Sequence, residues 1–331
     1  MPGENAPCSA FADAPLHDLA LRVLSTPDSS EKAALTLAIA AAWASGTIPL
    51  HGPTPFDASR VPATPARPAD VALVHPSRVK SGSKKATVHA LVHAESVAMD
   101  LSWDIIARFG WSRGTWGALG AAAAPAPEGA AAAAPAPEGA ALPREFFDDW
   151  VRVAGEEAAH FLSWRGRLRE LGADYGALPA HAGLWESAAD TAHSLAARLA
   201  IVHCVHEGRG LDVAAALEKK FAEDPASLSI LRANVAQEVG HVGFAVKWLS
   251  RVAAWGGGEG LPLFHALVGR HFHGRLLPPF ATERRAAAGM SEEWFVPLSL
   301  PREGGGGGSG GRGGGAASGG GAGAGEADEK S

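Results

Sequence analysis

The sequence predicts an all-α protein organised around a bundle of four long helices, with extra helices before and after it. Four segments repeat apolar residues at helical spacing, over residues 84–109, 143–171, 185–207 and 227–254. No comparable segment alternates apolar and polar residues with a period of two, so we expect no β-strands. The helical class therefore follows from periodicity and length alone.

The order of the four segments predicts how they connect. The link between the second and third, residues 172–183, is long enough to cross the bundle, which is typical of bundles of the ferritin-like kind. Residues 16–43 predict two shorter helices separated by "STPDSSEK", with Ser29 or Ser30 as the cap of the second. Residues 47–76 are rich in proline and predict an irregular surface segment, and residues 261–295 predict short helices broken at "LLPPF".

Composition divides the chain into four regions. Residues 1–82 form an N-terminal helical and proline-rich extension, residues 83–256 the bundle, residues 257–300 a C-terminal helical extension, and residues 301–331 a glycine-rich tail. A ten-residue Ala/Pro unit at 121–130 is repeated at 131–140, inside a predicted disordered insertion at about 112–141. The insertion and the tail contain too few large apolar residues to offset their ordering entropy, so we expect both to be disordered.

Charge and cysteine content restrict the functional class. A net charge of −6 argues against a protein that binds nucleic acid mainly by electrostatics. Two cysteines, Cys8 and Cys204, are too few for a disulfide framework and indicate a reducing compartment. No apolar run is long enough to cross a membrane, and the N-terminus resembles neither a signal nor a transit peptide. We therefore expect a cytoplasmic protein without a membrane partner, with an organellar location left open.

The second predicted helix carries polar residues where core residues belong. Glu157 and His160 continue the apolar stripe that runs from Trp150 to Trp164 in steps of three and four residues. Residues three apart share a helix face, so these two side chains point the same way. Glu156 falls on another face and is predicted to be solvated.

The other three long helices also direct a glutamate inward. In the fourth, Glu238 lies on an apolar stripe three residues before His241, which repeats the Glu-x-x-His spacing. In the first, Glu95 follows Val92 on the buried side, and in the third a less regular stripe leads to Glu207. Two Glu-x-x-His pairs alone are a weak signal. The strength of the prediction comes from one inward carboxylate on each of four helices.

Four carboxylates in one core must be protonated, hydrated or neutralised, because a buried unpaired charge costs several kcal/mol. Two divalent cations would neutralise them, and imidazole with carboxylate suits iron, or manganese as the alternative, better than calcium. This ligand inventory is that of dinuclear carboxylate bundles. The predicted metal ligands are Glu95, Glu157, His160, Glu207, Glu238 and His241.

The sequence leaves open the roles of several polar residues near the predicted metal ligands. They could support the centre or add a ligand, but a hydrogen-bonded core position is favoured for the histidines and a solvent-exposed one for the rest. These residues are His89, His93, His203, Arg209, Asp212 and Gln237.

Five long stretches resemble the ferritin-like proteins of domain of unknown function 455. They are "HALVHAESVAMDLSWDIIARF", "LPREFFDDWVRVAGEEAAHF", "YGALPAHAGLWESAADTAHSLAARLAIVHCVHEGRGLDV", "QEVGHVGFAVKW" and "GRLLPPFATERRAAAGMSEEW". The resemblance covers nearly all of the foldable chain and implies the same six metal ligands. Three features depart from the family pattern: the Ala/Pro insertion, Gln237 where an acid often precedes the glutamate of "EVGH", and the histidines 203 and 206 beside Glu207.

The leading functional prediction is an O2-dependent oxidoreductase, a hydroxylase or oxidase with two divalent metal ions as cofactor. Its substrate would be a small molecule or, by analogy with a ferritin-like enzyme class that hydroxylates a tRNA adenosine, a tRNA, although the acidic charge argues against RNA. The alternative is a non-catalytic protein that stores metal or serves a structural role. Assembly into a homo-oligomer is left open, and no catalytic residue beyond the ligands is assigned.

Overall fold

The computed structural model describes residue 11 and residues 13–79, 82–111 and 141–299. The short N-terminal helices are α1 (Leu16–Leu24) and α2 (Ser29–Ala44), and the long helices α3 (Lys84–Phe109) and α4 (Arg144–Glu170) follow. Helix α5 (Gly183–Asp190) precedes α6, which runs from Leu195 to Lys220, and α7 is Pro225–Trp255. The C-terminal helices are α8 (Gly260–His271), α9 (Thr282–Ala287) and α10 (Glu292–Ser299).

The described residues confirm the all-helical prediction. An isolated parallel bridge between Leu73 and Ala180 ties the proline-rich segment to the crossover after α4. None of the described helices combines the length and hydropathy that spanning a membrane requires. The predicted disordered insertion, the glycine-rich tail and Cys8 lie outside the described residues.

Helices α3, α4, α6 and α7 contact one another in a cycle. Helix α3 packs along α4, α4 packs on α7, α7 packs on α6, and the first turn of α6 returns to α3. Helices α1 and α2 cover the outer faces of α3 and α4, whereas α8 and α9 cover α7. The inward faces of the four long helices therefore enclose one space.

The predicted ends of the long helices agree with the structure because local caps fix them. Ser83 accepts a hydrogen bond from the amide of Ala86 at the start of α3, and Asp224 accepts one from Ser227 at the start of α7. In α2 the predicted cap was wrong. Asp28, and neither of the two serines, accepts from the amides of Ser30 and Glu31.

The third predicted helix was wrong in its continuity. Instead of one helix over 185–207, the chain forms α5, breaks at Thr191, and restarts where Ser194 caps α6. The segment Leu199–His206 of α6 is a π-helix, whose hydrogen bonds reach one residue further than those of an α-helix. This widening explains why the stripe leading to Glu207 does not follow the 3.6-residue period.

Candidate metal centre

Helices α4 and α7 each place a glutamate and a histidine, three residues apart, in the space between the four long helices. On α4 the side chains of Glu157 and His160 are each 2% exposed. On α7 the side chain of Glu238 is 18% exposed and that of His241 is fully buried. The two Glu-x-x-His pairs thus meet across the α4–α7 contact.

Each of these two carboxylates extends across both imidazole rings, whose centroids are 5.9 Å apart. The Glu157 oxygens lie 2.9 Å from Nδ1 of His241 and 3.5 Å from Nδ1 of His160. The Glu238 oxygens lie 3.5 Å from Nδ1 of His241 and 3.4 Å from Nδ1 of His160. Each carboxylate therefore turns one oxygen to each imidazole.

Helix α3 adds Glu95 at the His160 end of this arrangement. Its Oε2 lies 3.8 Å from Nδ1 of His160. One ligand atom from each of Glu95, Glu157, His160 and Glu238 lies within 4.8 Å of the other three. Four of the six predicted ligands thus converge closely enough to surround one ion, and His241 adjoins them through the Glu157 oxygen.

Helix α6 contributes Glu207, which is oriented differently. Its Oε1 lies 2.6 Å from Nδ1 of His203, one turn earlier on α6. Its Oε2 is buried without a hydrogen-bond partner. His241 and the glutamates at 95, 157 and 238 all act electrostatically on this carboxyl, so it faces the same cluster without joining the compact group of four.

Several buried atoms in this space lack a hydrogen-bond partner despite their short separations. They are Nδ1 of His160, Nδ1 of His241, Oε2 of Glu157 and Oε2 of Glu207. Buried polar atoms in proteins are nearly always paired, so a cluster of unpaired ones needs an explanation. The nitrogen and oxygen atoms lie close together but are not aligned as donor and acceptor. This convergence, and the hard carboxylate and imidazole donors, fit a divalent transition-metal ion.

The outer nitrogen of each imidazole is held by the opposite helix. Nε2 of His160 on α4 donates to Oε1 of Gln237 on α7, at 2.8 Å. Nε2 of His241 on α7 donates to Oε2 of Glu156 on α4, also at 2.8 Å. An amide or carboxylate oxygen only accepts, so in the neutral rings Nε2 carries the proton and both Nδ1 atoms have a lone pair directed at the cluster. The prediction that Glu156 is solvated was wrong, because at 17% exposure its carboxylate holds His241.

Comparison with protein families places most of the chain in one family. A family described as a protein of unknown function, DUF455, matches residues 25–296. The chain belongs to the DUF455 family.

One relative of this DUF455 protein is an uncharacterized protein of Haemophilus influenzae (strain ATCC 51907 / DSM 11121 / KW20 / Rd). The two are 34% identical over 209 residues, which are 62% of this chain and 65% of the relative. The match thus spans slightly less than two thirds of the relative's length. No solved structure matches the chain.

Burial and charge act in opposite directions on the cluster of the DUF455 protein. Burial raises the pKa of Glu95 to about 8 and holds that of Glu207 well above its ordinary value. Burial would also raise the pKa of Glu157, but the adjacent imidazoles of His160 and His241 outweigh it and lower that pKa. The surrounding carboxylates outweigh the burial of His160 and His241 and raise the pKa of both. Protons therefore neutralise the cluster when nothing else does.

The neighbouring histidines take hydrogen-bonded core positions. His93 lies 2.8 Å from the hydroxyl of Tyr175 and 3.0 Å from the carbonyl of His181, and His89 accepts from the amide of Gly176. Both tie α3 to the crossover after α4. His203 is the exception, because it holds Glu207.

Two other predicted neighbours point away from the centre. Asp212 pairs with Arg285 of α9, and Arg209 donates to the carbonyl of Leu277. Both therefore attach the C-terminal extension. The i to i+4 spacing of His203 and Glu207 is visible in the sequence, but the π-helix that turns both inward is not.

Proposed function

We propose that this DUF455 protein is a ferritin-like four-helix metalloprotein whose centre holds two divalent metal ions. The observation that carries the proposal is the pair of carboxylates, Glu157 and Glu238, that each face both imidazoles. The proposed ligands are Glu95, Glu157, His160, Glu207, Glu238 and His241.

The charge of the centre supports two ions. Four carboxylates in one enclosed space carry four negative charges when ionised, and two divalent cations neutralise them without protons. Iron is the proposed metal, with manganese as the alternative, because mixed imidazole and carboxylate ligands suit both. Glu95 would complete the His160 end, and Glu207 the His241 end.

We further propose that the protein is an O2-dependent oxidoreductase. Two reduced iron ions held by these glutamates and histidines would supply electrons for the reduction of O2, and an external reductant would have to restore them. Partial exposure of Glu95 and Glu238, at 11% and 18%, leaves the centre within reach of small molecules. A cavity of about 650 Å³ lies elsewhere, between α8 and α10, and none of the proposed ligands lines it. A small-molecule substrate is therefore proposed ahead of a tRNA.

Metal analysis of the full-length chain tests the centre. We expect two metal ions per chain in the wild type and fewer than one in Glu157→Gln or Glu238→Gln, because each substitution replaces a carboxylate oxygen by an NH2 group, which does not bind a metal ion, and removes a negative charge from the cluster. Glu170→Gln is the matched control, since Glu170 lies on α4 but is 65% exposed. Full occupancy in the two site variants would overturn the assigned ligands.

Titration with Fe(II) separates catalysis from storage. An oxidoreductase centre should saturate at two ions per chain, and O2 consumption should then depend on an organic substrate and a reductant. A storage protein would continue to consume Fe(II) and O2 far beyond two ions and would form a mineral. Continued uptake would refute the oxidoreductase proposal and leave the metal site standing.

A further inference from the structure

The two cross-helix contacts that hold the imidazoles occupy equivalent positions but differ in charge. Gln237 immediately precedes Glu238 and accepts from His160, whereas Glu156 immediately precedes Glu157 and accepts from His241. Both hydrogen bonds measure 2.8 Å. The hydrogen-bond lengths at the two ends are therefore equal, whereas the acceptors differ in charge.

A carboxylate and an amide act differently on an imidazole. An anionic acceptor polarises the Nε2–H bond and makes Nδ1 of the same ring a stronger electron-pair donor. A neutral amide oxygen fixes the ring and the tautomer but adds much less basicity. The Nδ1 atom of His241 is thus the better donor of the two.

We infer that Glu156 and Gln237 make the two metal positions unequal, so that the position at His241 binds the first ion and the position at His160 the second. This inference rests on the dinuclear centre proposed above. Glu156 and Gln237 are positioning residues, because each acts through a histidine and neither faces the space between the imidazoles.

Arg152 moderates the effect without removing it. Its Nε lies 2.9 Å from Oε1 of Glu156, whereas His241 uses Oε2, so the carboxylate serves both partners at once. Arg152 is 66% exposed, and solvent screens its charge more than that of the buried hydrogen bond to His241. At the His160 end the acceptor is the uncharged amide of Gln237.

Two nearly isosteric substitutions test the inference, with Mn2+ as the probe. Stepwise dissociation constants are measured by equilibrium dialysis on the full chain, and electron paramagnetic resonance at one equivalent distinguishes single ions from coupled pairs. We expect Glu156→Gln to weaken the tighter step by about 10- to 100-fold, the usual effect of losing such a partner. We expect Gln237→Glu to tighten the weaker step by about tenfold, which a merely structural residue would not do.

The histidines show which position fills first. His160→Ala should retain the tighter step and His241→Ala should lose it, with helical content measured by circular dichroism to verify folding. If the two stepwise dissociation constants are equal and neither isosteric substitution changes them, the inference is overturned. The two-ion centre would remain intact. A weakening of binding by Gln237→Glu would also overturn the inference. Absence of any Mn2+ or Fe(II) binding by the wild type would remove both the inference and the proposed function.

Discussion

Helix α3 buries carboxylates in two different environments, and the difference separates structural charge from functional charge. Asp104 is fully buried and receives hydrogen bonds from Arg108 and Arg198. Glu95, nine residues earlier, is nearly as buried but faces only the histidines and carboxylates of the cluster. Burial raises the pKa of both groups, yet the arginines bring that of Asp104 below its ordinary value, whereas the pKa of Glu95 rises to about 8.

The contrast indicates where each charge is neutralised. The chain provides its own cations for Asp104, and likewise for Asp100, whose oxygens lie 2.5 Å from Lys32 and 3.2 Å from Arg67. No lysine or arginine forms an ion pair with the described cluster glutamates at 95, 157, 207 and 238. The cluster carboxylates, which have no lysine or arginine partner, are the ones whose charge a metal ion would neutralise.

The largest expected effect comes from removing Arg198, one of the two arginines that neutralise Asp104. Arg198→Met should destabilise the protein by about 3 kcal/mol, because it leaves a buried charge and a buried carbonyl with fewer partners. Arg198 is 1% exposed and also donates to the carbonyl of Ala188 at 2.6 Å. Urea unfolding of the metal-free chain measures the loss.

Arg169→Met is the matched control. Arg169 is 58% exposed and pairs with Asp174 on the surface, so its loss should cost less than about 1 kcal/mol. If both substitutions cost the same, Asp104 does not depend on the buried arginine.

The next largest effect should come from adding a metal ion that neutralises the cluster glutamates. Mn2+ or Fe(II) at about ten times the dissociation constant should stabilise the wild type by about 1.4 kcal/mol per site, about 2.8 kcal/mol for two sites. The same addition should leave the melting temperature of Glu157→Gln almost unchanged. Equal stabilisation of the two proteins would place the ions somewhere other than the cluster.

Sequence periodicity could predict the cluster because the ligands sit on regular helices. In α4 and α7 the 3.6-residue period holds through Glu157 and Glu238, so their inward direction follows from the stripes. The same reasoning fails in α6, where the π-helix shifts the register before Glu207. A prediction from sequence assumes a constant helical period, and the π-helical hydrogen bonds of this segment change that period.

Glu156 shows a second limit of sequence reasoning. It lies off the apolar stripe of α4, and a position off the stripe ordinarily faces solvent. The interhelical distance between α4 and α7 lets its carboxylate reach His241 beside the buried face. Such contacts depend on which helices are neighbours, and the periodicity of one helix does not contain that information.

The pH dependence that the cluster gives the metal-free protein should be opposite to the usual acid lability of carboxylates. Below about pH 4.5 Glu95 is protonated in both folded and unfolded chains, and between there and about pH 8 only the folded chain keeps the proton. The raised pKa of His160 and His241 acts in the same direction above about pH 6.5, because the folded chain retains those protons longer.

The contribution of Glu95 to the stability of the metal-free chain should therefore fall as the pH rises from 5 to 8. The unfolding free energy of Glu95→Gln should lack this fall, since an amide does not ionise. Denaturant unfolding at several pH values, with chelator present, measures it. An equal slope in Glu95→Gln and the wild type would show that Glu95 does not hold its proton in the folded state.

The smallest effect tests whether the histidines beside the cluster belong to it. His93 donates from Nε2 to the carbonyl of His181, so its Nδ1 must accept from the hydroxyl of Tyr175. Burial lowers the pKa of His93 to about 4, which keeps the ring neutral in this network. Tyr175→Phe should cost about 1 kcal/mol, because it leaves one buried nitrogen unpaired. Metal occupancy should stay at the wild-type value, since both ring nitrogens of His93 serve to fasten α3 to the crossover. Metal occupancy and unfolding free energy are measured on the same Tyr175→Phe protein. A drop in occupancy would instead make His93 part of the metal centre.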